Sequence, residues 1–249
     1  MQLYNMVINK NIPIPLYYQL KTILLEYIKE HHHDFDIPIP AEVEISKHFA
    51  ISRPTVRQAI NELVVEGYLY RVKAKGTFVS KPKINQEFLL ILDSFNNEML
   101  KKGMKPTTRV LSMDIEESDE EVSKALRLSP GSKVIHLSRL RFANDEPIVY
   151  VTTYLPYELC RSLLGKDLEK NSLYEMLENE CGLCVTETER SLESCLADKF
   201  EADLLQIKKG APIQYFESVA YLSDRTPVEY SRAKYRGDRN KFAFVMRRK

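Results

Sequence analysis

ISRPTVRQAI, residues 51–60, places Ser52, Arg53, Thr55 and Arg57 at the start of an apolar-periodic run. Ser52 is a natural helix N-cap, its hydroxyl set to accept from the amide of Thr55, and Pro54 falls in the first turn, where a missing N–H does no harm. The helix that starts here buries Val56, Ile60, Leu63 and Val64. At about 100° per residue, Arg57, Gln58 and Asn61 then share the exposed face, with Arg53 and Thr55 at the exposed first turn.

Upstream, Leu16, Leu20, Ile23, Leu24, Tyr27 and Ile28 follow the spacing of an amphipathic helix entered through Pro15. DFDIPIP (34–40) breaks it, since the residue before each proline prefers extended backbone. AEVEISKHFA (41–50) predicts a short second helix joined by a tight turn to the third. Downstream, Gly67 ends the third helix, YLYRV (68–72) reads as a strand, KAKG (73–76) as a turn and TFVS (77–80) as a second strand. Two helices joined by a tight turn, the second opening on cations, form a helix-turn-helix, and a basic hairpin after it forms a wing able to lie along a minor groove. A helix N-terminus attracts phosphate, and Arg bridges the two acceptors of guanine or clamps a phosphate. Tight turn, capped cationic helix and basic hairpin in succession predict binding to double-stranded DNA.

The bulk composition agrees with a single DNA-binding module. The 249 residues, 44% hydrophobic, suffice for two domains. A formal net charge of +1 hides a basic stretch: between Arg53 and Lys83, seven Lys/Arg face two Asp/Glu. Such a stripe on a neutral chain points to a polyanion contact made by one module. The N-terminus lacks a secretory h-region and no run approaches the roughly 18 apolar residues of a membrane span, so a cytoplasmic protein with no membrane association is expected.

After a polar linker the chain repeats itself. SDEEVSKALRLSPGSKVIHLSRLRFANDEPIVY (118–150) aligns with ADKFEADLLQIKKGAPIQYFESVAYLSDRTPVEY (197–230) at an offset of 79, becoming 80 beyond a longer turn. Each copy reads helix, Gly turn, strand, Asn/Ser-Asp turn, strand. Two units are too few for a solenoid, and they predict one antiparallel sheet with pseudo-twofold symmetry, helices packed around it and a ligand site between the halves. Arg139 and Arg141 alternate on one strand and so project from one face, whereas their equivalents Ser218 and Ala220 are small. Spacing alone leaves two readings of the arginines open, an anion site and cross-strand ion pairs on an exposed face. LDSFNNEMLKKG (92–103) offers Asp93 or Ser94 as a cap and the amides of Ser94, Phe95 and Asn96 at a helix start.

Other reactive side chains carry less. Cys181 and Cys184 form a CxxC without a second pair or a nearby His, and with Cys160 and Cys195 they are expected as buried or half-buried thiols. His31, His32 and His33 point about 100° apart on a helix and cannot chelate together, so a solvated helix end is expected. His136 shares a strand face with Leu140 and Phe142 and is expected to pack. Tyr235, Arg236, Asp238 and Arg239 fit a turn stapled by an Arg236–Asp238 pair. No Ser-His-Asp order, metal set or Gly-rich phosphate loop supports an enzyme, and neither activity nor cofactor is expected.

PLYYQL (15–20), IPAEVEIS (39–46) and the segment 51–83 resemble the winged-helix domain of the GntR family of bacterial transcriptional regulators, without a gap over residues 13–83. The resemblance implies that Arg53, Thr55 and Arg57 contact phosphate and bases beside the Ser52 cap, that Lys75 and Gly76 enter the minor groove, and that Glu42 supports the second helix. Ala41 stands where the family usually has a Ser cap and Val43 where it often has a DNA-contacting Arg, which shifts weight to Arg53, Arg57 and the wing. ANDEPIVYVTTYLP (143–156) and TPVEYSRAKYRGDRNKF (226–242) resemble the UTRA effector-binding domain of the HutC subfamily, related in fold to chorismate lyase, over about residues 88–247. Its most similar members repress amino-sugar and sugar-phosphate utilisation. By position, Arg139 and Arg141 would hold an effector phosphate with the Ser94-Phe95-Asn96 turn, Ser172 would assist, and Glu229 and Tyr235 would bind the sugar. Val151 departs from this pattern, standing where amino-sugar regulators have Glu.

The expected protein is α+β: a winged helix-turn-helix over residues 11–80, a linker over 81–90, and over 91–249 a chorismate-lyase-like domain with an antiparallel sheet and surrounding helices. It is expected to act as a homodimeric repressor on a pseudo-palindromic operator, released by a small anionic effector, a phosphorylated sugar.

Overall fold

The computed structural model describes residues 3–30, 37–81, 83–86, 94–243 and 245. It falls into two compact units, Met1–Pro82 and Lys83–Lys249.

In the first unit α1 (Leu16–Glu30), α2 (Glu42–Phe49) and α3 (Arg53–Val65) precede a hairpin of β1 (Leu69–Val72) and β2 (Gly76–Val79). Leu20, Leu24, Ile45, Val56, Ala59, Ile60 and Leu63 interlock as one buried core. Val64, expected inside, is only half-buried, because Ala59 rather than Val64 completes the apolar stripe of α3. Gly67 at φ +80 closes α3, with the amide of Tyr68 donating to Leu63 O at 2.9 Å. Ala50 caps α2 in the left-handed region at φ 49, giving the tight turn into α3. The unit begins earlier than residue 11: Leu3 and Ile8 are buried in the same core, and the Lys10 ammonium donates to Ala50 O at 2.7 Å.

In the second unit β3 (Ile84–Gln86) and α4 (Phe95–Lys101) precede β4 (Pro106–Glu117). Then come α5 (Glu120–Leu126), β5 (Lys133–Ala143), β6 (Glu146–Pro156), α6 (Tyr157–Cys160) and α7 (Leu173–Cys181). The chain continues through β7 (Glu187–Leu196), α8 (Lys199–Leu205), β8 (Pro212–Tyr221), β9 (Pro227–Arg236) and β10 (Asn240–Phe242). Six strands form one antiparallel sheet in the order β4-β5-β6-β9-β8-β7.

The duplication is physical. Asp119 and Asp198 cap α5 and α8, each carboxylate accepting the amide three residues on, at 2.7 and 2.8 Å. Arg127 and Gln206 end those helices in the left-handed region, and a bulge falls after Arg141 in one copy and after Ala220 in the other. Strand alternation gives the sheet two faces. Helices α5 and α8 pack on the face of Val134, Leu140 and Tyr230, while α4, α6 and α7 pack on the face of Ile135, Leu137, Val149 and Val151.

One boundary differs from expectation. Residues 84–86, assigned to the linker, form β3, paired in parallel with β10, because Ile84 and Gln86 are buried there and Gln86 Nε2 donates to Asn240 Oδ1 at 2.7 Å. Residues 87–90 of that linker, Asp93 and the histidines 31–33 lie outside the described residues.

Candidate functional site

The first candidate surface is built on α3. Ser52 Oγ accepts from the Thr55 amide at 3.3 Å and lies 2.7 Å from Thr55 Oγ1, so the cap expected from the sequence forms and orients both hydroxyls at the helix start. Arg53 and Arg57 are exposed there, as are Lys73, Lys75 and Gly76 at the tip of the hairpin. Ala74 at φ 62 and Gly76 at φ 123 make that tip. A contact that sequence reading did not find joins these parts: Glu42 Oε2 accepts from Arg57 Nε and Nη2 at 3.1 and 3.0 Å, and Glu42 Oε1 from Arg71 Nη2 at 3.2 Å.

The second is a cavity of about 100 Å³ on the sheet face beneath α4 and α7. Six expected residues line it: Ser94, Phe95, Arg139, Arg141, Glu229 and Tyr235. Asn96 and Ser172 do not; Ser172 is the N-cap of α7, whose next two residues, Leu173 and Tyr174, do. The cavity spans the pseudo-twofold, bringing Arg139 and Val151 of one copy against their equivalents Ser218 and Ser231. Ala220, the equivalent of Arg141, is buried beside Glu229 and outside the cavity wall.

Buried and half-buried charges of both signs line the cavity: Arg139, Arg141 and Arg190 with Glu98 and Glu229. Arg139 is 2% exposed, and its Nη2 donates to Thr153 Oγ1 at 3.3 Å. Arg141 lies 5.3 Å from the centre of the Phe95 ring. The Nε atoms of both arginines are buried without a hydrogen-bond partner. Burial, and then the like charge of Arg141, push Arg139 down to about 9, against the opposing pull of Glu229. Burial also lowers Arg141. Two desolvated cations side by side are costly unless an anion meets them. Elsewhere in the wall burial raises Tyr235 to about 12, and burial with Glu229 raises Tyr174.

Glu98, Tyr174 and Arg190 also line the cavity and were missed by sequence reading. They come from α4, α7 and β7, and only the alternation of Thr188 and Arg190 on one strand could have hinted at any of them. Ser94 caps α4, accepting from the Asn97 amide at 3.1 Å.

The remaining reactive groups are structural. Arg236 is stapled to Asp238 through Nε at 3.1 Å and Nη2 at 2.8 Å, as expected. His136 is half-buried, stacked on Tyr154 at 5.2 Å. Cys160 is buried and Cys181 and Cys195 half-buried, but Cys184 is exposed, since it follows the left-handed turn at Gly182 that ends α7. Among the described residues, no group of three or more His, Cys, Asp or Glu side chains could hold a metal ion, and no helix is long and apolar enough to cross a membrane.

Comparison with known proteins matches residues 16–79 to the family described as bacterial regulatory proteins, gntR family, and residues 101–241 to the UTRA domain. The HTH-type transcriptional repressor NagR of Bacillus subtilis is 39% identical over 243 residues, covering 98% of this chain and 99% of NagR. The mannosyl-D-glycerate transport/metabolism system repressor MngR of Escherichia coli is 27% identical, covering 94% of this chain and 97% of that one. The crystal structure of PhnF from Mycobacterium smegmatis superposes with a TM-score of 0.67 at 29% identity, covering 92% of this chain and 99% of that chain.

Proposed function

From a chain that belongs to the GntR family of bacterial regulatory proteins, with the winged helix and UTRA domain of its HutC type, we propose a cytoplasmic, homodimeric repressor of sugar-utilisation genes. Its relatives are transcriptional regulators and it is a DNA-binding regulator, not an enzyme. In this reading two copies of α3 read the half-sites of a pseudo-palindromic operator. Ser52, Arg53, Thr55 and Arg57 meet phosphates and base edges, and Lys75 and Gly76 enter the minor groove.

The effector is a phosphorylated sugar. The observation that carries this is the Arg139–Arg141 pair, desolvated, with both Nε atoms unpartnered. The phosphate sits against these guanidinium groups and the Ser94-Phe95 start of α4, and the sugar lies toward Glu229 and Tyr235; Asn96 and Ser172, outside the cavity wall, have no contact in this reading. Val151 keeps the wall between them apolar. The name of MngR ties that protein to a sugar-derived metabolite, which supports the sugar part of this reading and not the phosphate. Release from DNA follows if the effector binds more tightly to the conformation that does not fit the operator.

A thermal-shift comparison of sugar phosphates with their unphosphorylated forms tests the reading, because a specific ligand raises the melting temperature by mass action. Amino-sugar and hexose phosphates are expected to shift it and free sugars are not. Equal shifts from free sugars, or none from any phosphate, would remove the phosphate from the assignment.

A further inference from the structure

The carboxylate of Glu42 touches two elements of the DNA-reading surface at once. Its Oε2 takes the Nε and Nη2 of Arg57 on α3, and its Oε1 takes Nη2 of Arg71 on β1. We infer that Glu42 is a specificity-determining positioning residue, one that fixes which edge of Arg57 faces the DNA and locks the wing strand to the recognition helix through Arg71. This rests on the reading of Arg57 as a base contact.

The geometry distinguishes the role from ordinary surface pairing. A guanidinium has a side edge, Nε with one Nη, and an end edge, the two Nη atoms. Glu42 occupies the side edge, which leaves the end edge to meet another partner, and that edge matches the paired O6 and N7 acceptors of guanine. Side chains this exposed, 56% for Arg57 and 41% for Arg71, gain little stability from ion pairing. A carboxylate at the start of a helix also interacts favourably with the helix dipole, but that interaction needs no arginine. What the two contacts do supply is orientation, which otherwise costs a long side chain its rotamer freedom on binding.

The sign of the effect makes the inference testable. Glu42 adds a negative charge to a surface that meets a polyanion, so charge alone predicts that Glu42→Gln tightens binding to every duplex. Positioning predicts weaker binding to the preferred sequence and loss of a base preference. Wild type, Glu42→Gln, Arg57→Ala and the double variant, each confirmed by its melting curve as folded, are used to select duplexes from a randomised pool. Affinities are then measured for the wild-type consensus and for a scrambled duplex.

The expected result is that Glu42→Gln relaxes the same base position as Arg57→Ala. Its affinity for the consensus falls by about tenfold, within the range for one bidentate base contact. Affinity for the scrambled duplex is unchanged or higher, and the Glu42 effect disappears in the Arg57→Ala background. Tightening on both duplexes with the base preference intact would overturn the inference while leaving Arg57 as a reader. A consensus that Arg57→Ala leaves unchanged would overturn the base contact and the positioning role together.

Discussion

Thr152 on β6 and Arg232 on β9 are direct cross-strand partners, and with the offset of 80 carried two residues past the aligned copies they are also equivalents of one another. The pseudo-twofold axis of the sheet therefore passes between them. The pairs next to it repeat across the axis: Val151 faces Ala233 as Thr153 faces Ser231, and Tyr150 faces Lys234 as Tyr154 faces Tyr230. On the face holding the cavity, divergence of the copies has put a buried arginine on one side and serines on the other. The halves share a backbone but offer a ligand two different ends.

Arg139→Met should abolish the sugar-phosphate thermal shift and weaken effector binding by at least about tenfold, as expected for loss of a charge-assisted contact. DNA binding by the ligand-free protein should be unchanged. Burial and Arg141 hold Arg139 at about 9, below its ordinary value, so its charge opposes folding. That opposition is complete below pH 9 and fades as pH rises through 9 toward the ordinary arginine range. At pH 7 the ligand-free variant should thus melt no lower than wild type. Scanning calorimetry with and without ligand checks this, and a lower melting temperature would make Arg139 a support of the fold.

Leu126→Ala and Leu205→Ala should cost about the same, on the order of 3 kcal/mol each. Both leucines end equivalent helices and are 2% and 0% exposed. Urea unfolding followed in the second unit would show matching losses. A large difference would mean that the copies, alike in backbone, relax differently around a cavity.

Gly76→Ala should disturb the wing without any clash. An added Cβ meets nothing within 4 Å, so the whole penalty comes from φ +123, which L-residues rarely adopt. A backbone cost of roughly 1–3 kcal/mol is expected. DNA affinity should fall and the core of the first unit should persist, as read by titration and by amide exchange of α1 and α3. Wild-type affinity would show that the hairpin tip does not touch DNA.

Ser52→Ala removes the N-cap of α3 and the partner of Thr55 Oγ1. A loss of about 1 kcal/mol in stability is expected. If Ser52 also meets phosphate, Ser52→Asp, which keeps the cap but adds a negative charge, should retain stability and lose DNA affinity. Equal affinity for both variants would confine Ser52 to capping.

The local parts of this protein were legible in its residues. The cap, the first-turn proline and the apolar spacing after Ser52 specify a helix through contacts within one or two turns. The offset between copies, together with strand alternation, was enough to put Arg139 and Arg141 on one face of a twofold sheet. Tertiary structure decided the rest. Glu42 reaches Arg57 and Arg71, 15 and 29 residues away, only because α2, α3 and the hairpin pack on one core. Tyr174 and Arg190 enter the cavity from α7 and β7, and Ile84 leaves the linker because β10 lies alongside it. Periodicity reports which side of an element is apolar, but which elements become neighbours depends on strand order and register, set when the whole sheet closes over its helices.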